Sequence, residues 1–231
     1  MASRNHELSQ HFLKSPSTAL KLIGHSNIKK RDLVLDIGAG SGVITSALAK
    51  RAGEVWAIEP DQTTAQKLRI NTRQHQNIKI IEKDIFDLTL PDTPYKIFAN
   101  PPFAIVSDIL RTLNRAKHRP ATIYFILQKQ LAKKLIQNPD FNSALGIELA
   151  VNYTAKIRLP LHKTDFTPPP AVDTVFVEFK HRESPLLPAK DKPAFAHYLE
   201  AEFHSPLYST HPSRLSVENH IQSFHEHHNH R

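Results

Sequence analysis

The tetrapeptide Asn100-Pro101-Pro102-Phe103 has the residue types needed to handle an amine attached to an aromatic ring. Such an amine is a poor nucleophile because its lone pair is delocalised into the ring. The Asn100 side-chain oxygen and the Pro101 carbonyl can each accept one amine hydrogen, which directs the freed lone pair at an electrophile. Each proline stiffens the turn by fixing φ, and Phe103 can stack on a base. The alternative interpretation is a proline-rich turn with Phe103 in the core.

A glycine-rich turn upstream is the second chemical signal. Gly38, Gly40 and Gly42 alternate after an apolar run, and such glycines let the backbone turn sharply and approach a ligand. Glu59 follows the next apolar run, 21 residues after Gly38, where a carboxylate can accept both ribose hydroxyls of an adenosine. The spacing differs from the dinucleotide fingerprint and from a P-loop, so we predict an adenosine ligand without a pyrophosphate. A plain tight turn beside a solvated Glu59 is the alternative.

Residues of this kind must be positioned by strand ends, and the segment from about residue 30 to 137 has the alternation of βα units. Strands are predicted at 33–37, 55–59, 78–81, 97–99 and 123–127, and helices at 42–50, 62–72, 105–113 and 129–136. This α/β pattern places Glu59, Asp84 and Asn100 at one edge of a parallel sheet. The runs 145–151, 155–159 and 172–179 are predicted as successive strands that add an antiparallel edge.

The chain after residue 180 has a different character. Prolines at 185, 188 and 193 predict a linker, and 194–203 predict one helix of an appendage. A cluster at His225, His227, His228 and His230 could chelate a metal, but we expect a solvated tail and assign no metal site. The predicted division is a catalytic domain at 1–180 and a short helical appendage with a flexible tail at 181–231.

The composition limits the partners. Thirty Lys and Arg against 22 Asp and Glu give a net charge of +8, which favours a polyanion, and nucleic acid over membrane. The sequence has no apolar run long enough for a membrane span and no signal peptide, so a cytoplasmic protein is expected. The absence of cysteine excludes disulfides, thiolate metal sites and a cysteine nucleophile.

Together these motifs resemble the ribosomal RNA adenine N6-methyltransferases, which include the Erm macrolide-resistance enzymes and the housekeeping small-subunit dimethyladenosine transferases. The likeness covers about residues 8 to 180 in five ordered segments, at 9–13, 36–42 with Glu59, 83–85, 100–103 and 165–172. It implies a Rossmann-like class I methyltransferase fold with a mostly parallel seven-stranded sheet, an antiparallel edge and a small C-terminal helical appendage. The implied cofactor is S-adenosylmethionine.

The resemblance also implies a set of functional residues. The implied catalytic residues are Asn100, Pro101 and Phe103. The implied cofactor-binding residues are His11, Leu13, Gly38, Gly40, Gly42, Glu59, Pro60, Asp84, Ile85 and Asn100. Two positions depart from the family pattern: His11 stands where Asn is usual, and Pro101 replaces Ile or Leu. The form Asn-Pro-Pro-Phe also occurs in enzymes that methylate DNA adenine or protein glutamine, so those substrates stay open.

The stretch from 124 to 153 is similar to the Erm branch, which predicts methylation of one adenine in 23S ribosomal RNA and resistance to macrolide, lincosamide and streptogramin B drugs. The alternatives are the housekeeping 16S enzyme and an inactive RNA-binding relative. We expect a monomer whose partner is unassembled or precursor ribosomal RNA. The region after 180 is unlike the helical RNA-binding domain of the family, and basic residues are the candidate phosphate contacts. These are Arg111, Arg115, Lys129, Lys133 and Lys134.

Overall fold

A computed structural model describes residues 11–136, 141–205 and 211–228, so Ser9, Gln10 and His230 lie outside the described residues. The strands are β1 (Phe12–Leu13), β2 (Leu33–Ile37), β3 (Glu54–Ile58), β4 (Ile78–Ile81), β5 (Tyr95–Ala99), β6 (Thr122–Gln128), β7 (Tyr153–Leu161), β8 (Phe166–Thr167) and β9 (Thr174–His181). The helices are α1 (Pro16–Gly24), α2 (Val43–Ala49), α3 (Gln62–Thr72), α4 (Val106–Arg115), α5 (Lys129–Leu135), α6 (Ala144–Asn152), α7 (Lys192–His204) and α8 (Val217–His228).

Seven of these strands form one mixed sheet in the order β4-β3-β2-β5-β6-β9-β7, and β1 pairs with β8 in a separate two-stranded sheet. The neighbours from β4 to β6 are parallel, with Ile37 opposite Ile58 at the end of the β2–β3 pair. This confirms the predicted α/β fold with its mostly parallel sheet. The five predicted strands and four predicted helices between 30 and 137 are all present, with bounds shifted by two residues or fewer.

Packing divides the chain into two compact units. The first unit comprises the described residues up to 129 together with 157–178, and the second comprises those in 130–156 and from 179 onward. The first unit has a core around the central strands, where Val34, Val55 and Phe98 are fully buried. Apolar runs without alternation form these strands because both faces of a parallel sheet are covered. The functional division predicted at residue 180 stays a prediction.

The strand predicted at 145–151 is wrong, because this segment lies within α6. Ser143 begins the helix, and its hydroxyl accepts the Gly146 amide at 3.1 Å. The prediction rested on the alternation of Leu145, Ile147 and Leu149, which is typical of a strand. In the structure the small Gly146 and the polar Asn152 are buried too, so the helix is covered on nearly every side. A short apolar run that is buried all round cannot be assigned to helix or strand by its period.

The predicted helix at 194–203 is confirmed as α7, but the segment expected to be a solvated tail forms α8. Phe224 of α8 packs with Phe195 and Leu199 of α7 in the core of the second unit. His220 is fully buried in the same helix, against the ring of Phe203. Apolar residues at 217, 221 and 224 recur at helical spacing, and the abundance of histidine concealed this pattern. Within 11–136, 141–205 and 211–228, no helix has the length and apolar character of a bilayer span.

Candidate active site

The order of the strands brings the predicted chemical residues to one edge of the sheet. Gly38 follows β2, Glu59 follows β3 and Asn100 follows β5, and these strands are parallel neighbours around β2. Asp84 lies three residues beyond the end of β4, which is the strand that pairs with β3. Carboxyl ends of parallel strands that meet in this way form the ligand-binding edge of open α/β sheets. The predicted clustering at this edge is confirmed.

The three glycines of the turn meet three different surroundings. All have positive φ, at 71° for Gly38, 55° for Gly40 and 92° for Gly42. A Cβ on Gly38 would have only Pro102 Cδ nearby, at 3.9 Å, whereas one on Gly40 would lie 3.1 Å from the Phe12 ring. A Cβ on Gly42 would lie 2.7 Å from the Leu68 side chain. Gly38 therefore faces open space beside the proline turn, and Gly42 is needed for packing of α3.

Glu59 is tied to the turn through both carboxylate oxygens. Oε2 accepts the Gly40 amide at 2.9 Å, and Oε1 accepts the Asp61 amide at 3.1 Å. Burial raises the pKa of Glu59 above its usual value, and the two backbone hydrogen bonds oppose that shift. Each carboxylate oxygen can accept more than one hydrogen bond. Glu59 can therefore support the glycine turn and still accept ribose hydroxyls.

Asp36 is a buried carboxyl at the start of the 36–42 segment, and no role was predicted for it. The Thr45 hydroxyl donates to its Oδ2 at 2.6 Å, while Oδ1 is buried with no hydrogen-bond partner in the structure described. Burial raises the pKa of Asp36 to about 7, the Thr45 hydrogen bond opposes the shift, and the nearby Glu59 charge adds to it. The sequence contained one signal for this residue: Asp36 is acidic and lies near the carboxyl end of a strand, two positions before the first glycine.

The Asn100 side chain is held by the N-terminal segment. Its Nδ2 donates to the His11 carbonyl at 2.6 Å. The His11 ring lies 5.7 Å from the ring of Phe103, at a tilt of 38°. The half-buried Phe103 begins a short 3-10 helix, in which the Ile105 amide donates to the Pro102 carbonyl at 3.1 Å. Asn100, Phe103 and His11 thus form one cluster beside the glycine turn.

The segment that contains His11 is anchored to a distant part of the first unit. β1 pairs antiparallel with β8, with Phe12 opposite Thr167 and Leu13 opposite Phe166. His11 Nδ1 lies 2.8 Å from the Pro168 carbonyl. Leu13 is buried in the core, so its side chain anchors the segment. The close approach of Phe12 to Gly40 and the contact of His11 with Pro168 were not predicted from the sequence.

The remaining predicted cofactor residues lie along the same edge. Asp84 is exposed, and its Oδ1 accepts the Phe86 amide at 3.2 Å, so that it begins a short 3-10 helix. The side chain of Ile85 is buried, whereas Phe86 is 42% exposed. Pro60 is exposed directly after Glu59. Phe86 was not predicted as a site residue, but its exposed ring beside Asp84 can cover a flat ligand.

The geometry fits an adenosine-containing cofactor. Gly38 opens onto space that a Cβ would enter, and Glu59 offers carboxylate acceptors next to it. The partnerless Oδ1 of Asp36 is a buried polar atom at the base of the turn, as expected for a site that receives a polar ligand. No phosphate-binding lysine follows the turn.

The predicted RNA contacts lie on two helices. Arg111 and Arg115 belong to α4, which follows the Phe103 turn, and Arg111 lies 3.7 Å from Asp108. Lys129 begins α5, and its amine lies 3.9 Å from Asp173. In the second unit, Lys133 and Lys134 are exposed on α5, and the Lys134 amine lies 5.8 Å from the ring of the exposed Phe141. The described residues contain no group of three or more His, Cys, Asp or Glu placed to hold a metal.

Comparisons with known proteins agree with this architecture. Residues 1–205 match the family model described as ribosomal RNA adenine dimethylase. A Streptococcus thermophilus protein named ribosomal RNA small subunit methyltransferase A is 31% identical over 205 residues, which cover 84% of this chain and 71% of that protein. The protein of the same name from Dehalococcoides mccartyi is 31% identical over 176 residues, 74% of this chain and 60% of that protein.

Two solved structures have similar folds. A dimethyladenosine transferase from Plasmodium falciparum superposes with a TM-score of 0.75 at 26% identity, covering 84% of this chain and 71% of the other. The 23S rRNA methyltransferase ErmE superposes with a TM-score of 0.76 at 22% identity, covering 92% of this chain and 84% of the other.

Proposed function

The chain belongs to the ribosomal RNA adenine dimethylase family, and from this premise we propose that it methylates the N6 amine of an adenine in ribosomal RNA. The fold and family are those of S-adenosylmethionine-dependent methyltransferases, and S-adenosylmethionine is the cofactor. The observation that carries the proposal is the approach of Pro102 Cδ to within 3.9 Å of the position of a Cβ on Gly38. It supports the proposal because the glycine turn and the Asn100–Phe103 turn lie next to each other.

The chain's own residues then act mainly by positioning. Glu59 accepts the ribose hydroxyls, Asp84 contacts the adenine of the cofactor, and Gly38 lets the main chain approach it. The bound cofactor supplies an electrophilic methyl on a sulfonium. Asn100 Oδ1 and the Pro101 carbonyl accept the two hydrogens of the target amine, while Phe103 stacks on the base. No general base is needed before transfer, because the alkylated amine is acidic and releases its proton to water.

Small-subunit RNA is the first candidate substrate. The relatives that are 31% identical are named for the small ribosomal subunit, and one of them is covered over 71% of its length. The second candidate is 23S RNA, with the resistance phenotype that the Erm resemblance implies. It is favoured by the short connection between α5 and α6, in which only residues 136–143 separate the two helices, in the stretch that resembles the Erm branch.

Primer extension and nucleoside mass spectrometry on ribosomal RNA from cells with and without the gene test this proposal. We expect a dimethylated or monomethylated adenine that depends on the gene, in 16S RNA for the first candidate and in 23S RNA for the second. Purified protein with labelled cofactor and naked 16S RNA, 23S RNA, duplex DNA or a glutamine-containing peptide provides the direct assay. Label in DNA or peptide alone would overturn the proposal. No cofactor binding by calorimetry at millimolar concentration would instead favour an inactive RNA-binding relative.

A further inference from the structure

The Asn100 carboxamide has two ends of similar shape and opposite function. If it presents the oxygen to a substrate amine, it accepts a hydrogen; if it presents the NH₂ group, it repels that amine. Rotation of the side-chain amide by half a turn exchanges the two ends with almost no change in shape. Something outside Asn100 must therefore fix which end faces the pocket.

The His11 carbonyl supplies that constraint. It accepts a hydrogen bond from Asn100 Nδ2 at 2.6 Å. A rotated amide would place Oδ1 at the same short distance from a carbonyl oxygen, and two acceptors would then face each other without a proton between them. The contact consequently selects the orientation in which the NH₂ group is occupied by the N-terminal segment.

The His11 side chain and the adjoining strand pairing both hold the segment that contains this carbonyl. The Pro168 carbonyl is an acceptor only, so His11 Nδ1 must carry the proton of their 2.8 Å contact. The β1–β8 pairing begins at the next residue, where Phe12 is opposite Thr167. The Lys14 amide extends the same connection to the Asp165 carbonyl at 2.9 Å. His11 is thus fixed by its side chain at the end of a paired strand, with its carbonyl directed at Asn100.

We propose that His11 is a positioning residue, whose Nδ1–H to Pro168 hydrogen bond holds its own carbonyl against Asn100 and so sets the orientation of the amine-accepting carboxamide. This role rests on the proposed amine methylation and differs from the cofactor contact that the resemblance implies for this position. Asn places its Nδ2 close to the point that Nδ1 occupies in His and can donate to the same carbonyl, whereas Ala cannot.

The test compares His11→Ala and His11→Asn with the native protein and with His25→Ala, which removes an exposed imidazole at the end of α1. We expect His11→Ala to lower kcat about 10- to 100-fold, with the Kd for S-adenosylmethionine from calorimetry changed less than about threefold. His11→Asn should recover most of the lost kcat. A rise in Kd that accounts for the whole loss in His11→Ala, or an unchanged kcat, would overturn the proposal.

A second readout does not depend on turnover. The Asn100 side-chain NH₂ pair, assigned by comparison with Asn100→Asp in ¹⁵N spectra, should show one slowly exchanging, hydrogen-bonded proton in the native protein. That protection should be lost in His11→Ala and restored in His11→Asn. If the native protein transfers no methyl group but the pattern is observed, the proposed reaction fails, and only the hydrogen-bond arrangement that His11 imposes on the Asn100 side chain stands. If it is active and the pattern is the same in all variants, the positioning role fails alone.

Discussion

The glycine turn (Gly38, Gly40 and Gly42) and the proposed amine site (Asn100, Phe103 and His11) lie side by side in the first unit. They differ in how far apart in the sequence the residues that hold them are. In the glycine turn, Glu59 binds an amide 19 residues away, and Asp36 binds a hydroxyl nine residues away. At the amine site, Asn100 is held by a carbonyl 89 residues away, and His11 contacts a carbonyl 157 residues away. The glycine turn, which we propose binds the cofactor, is therefore held mainly within one βα arrangement, whereas the proposed amine site is held by three distant segments that fold together.

This difference predicts that substitutions in the two regions change different quantities. Damage to the amine site should reduce turnover with little change in stability or cofactor affinity, because each of its segments is separately anchored. Damage to the glycine turn should reduce stability or cofactor affinity, because the turn is part of the central packing.

The largest effect is expected for Asn100→Ala. Loss of the carboxamide removes one of the two amine acceptors, so kcat should fall by about a thousandfold or more. The Kd for S-adenosylmethionine should stay within a few fold, as measured by calorimetry. Gln66→Ala, which removes a carboxamide from the exposed surface of α3, is the matched control and should turn over normally. Unaltered turnover in Asn100→Ala would refute the role of Asn100.

The next effect is on stability, in Gly42→Ala. The new Cβ would lie 2.7 Å from Leu68 Cδ1 and 2.9 Å from Thr72 Cγ2, on a residue with φ of 92°. Overpacking and an unfavourable backbone conformation together should lower the free energy of unfolding by about 2–4 kcal/mol in urea titrations. Gly24→Ala is the control, since nothing lies within 4 Å of its added Cβ. Equal stabilities for the two variants would show that Gly42 is not needed for the packing of α3.

The contrast between local and distant contacts also explains which features of the site could be predicted from the sequence. Gly38, Glu59 and Asn100 were predicted at one edge because strand ends follow from local apolar runs and parallel order. The contacts of His11 with Asn100 and Pro168 could not be predicted, since no local pattern encodes pairing over 89 or 157 residues. In the second unit, α6 was mistaken for a strand because burial on nearly every side removes the helical period from its sequence.

Asp36→Asn tests the buried carboxyl of the glycine turn through pH. The folded pKa of about 7 lies above the usual 3.8, so folding favours the protonated form. Its contribution to stability is fully present below about pH 4 and is lost as the pH rises to about 7. The native protein should lose about 1–3 kcal/mol over that window relative to Asp36→Asn, from urea titrations at each pH.

Asp61→Asn is the control of opposite sign for this measurement. Asp61 is exposed, and its pKa is lowered, chiefly by the Thr64 hydrogen bond, so its contribution is lost as the pH falls and not as it rises. The difference between the native and Asp61→Asn curves should therefore be nearly flat from pH 4 to 7 and have the reverse slope below about pH 4. Parallel native and Asp36→Asn curves from pH 4 to 7 would contradict a raised pKa at Asp36.

The smallest effect is expected for Phe12→Ala, where the N-terminal segment lies against the glycine turn. Phe12 belongs to the N-terminal segment, is 45% exposed, and has its ring 3.1 Å from the position of a Cβ on Gly40. Removal of the ring uncovers the glycine turn but leaves the Asn100–His11 contact, which uses a different residue. The Kd for S-adenosylmethionine should rise about 3- to 10-fold, as expected for losing roughly 1 kcal/mol of aromatic contact, with kcat changed less than twofold.

Ile70→Ala, on the exposed face of α3, should change neither quantity. A fall in kcat as large as that of Asn100→Ala would mean that the N-terminal segment acts as one unit on both regions, and the separation between cofactor binding and amine positioning would fail.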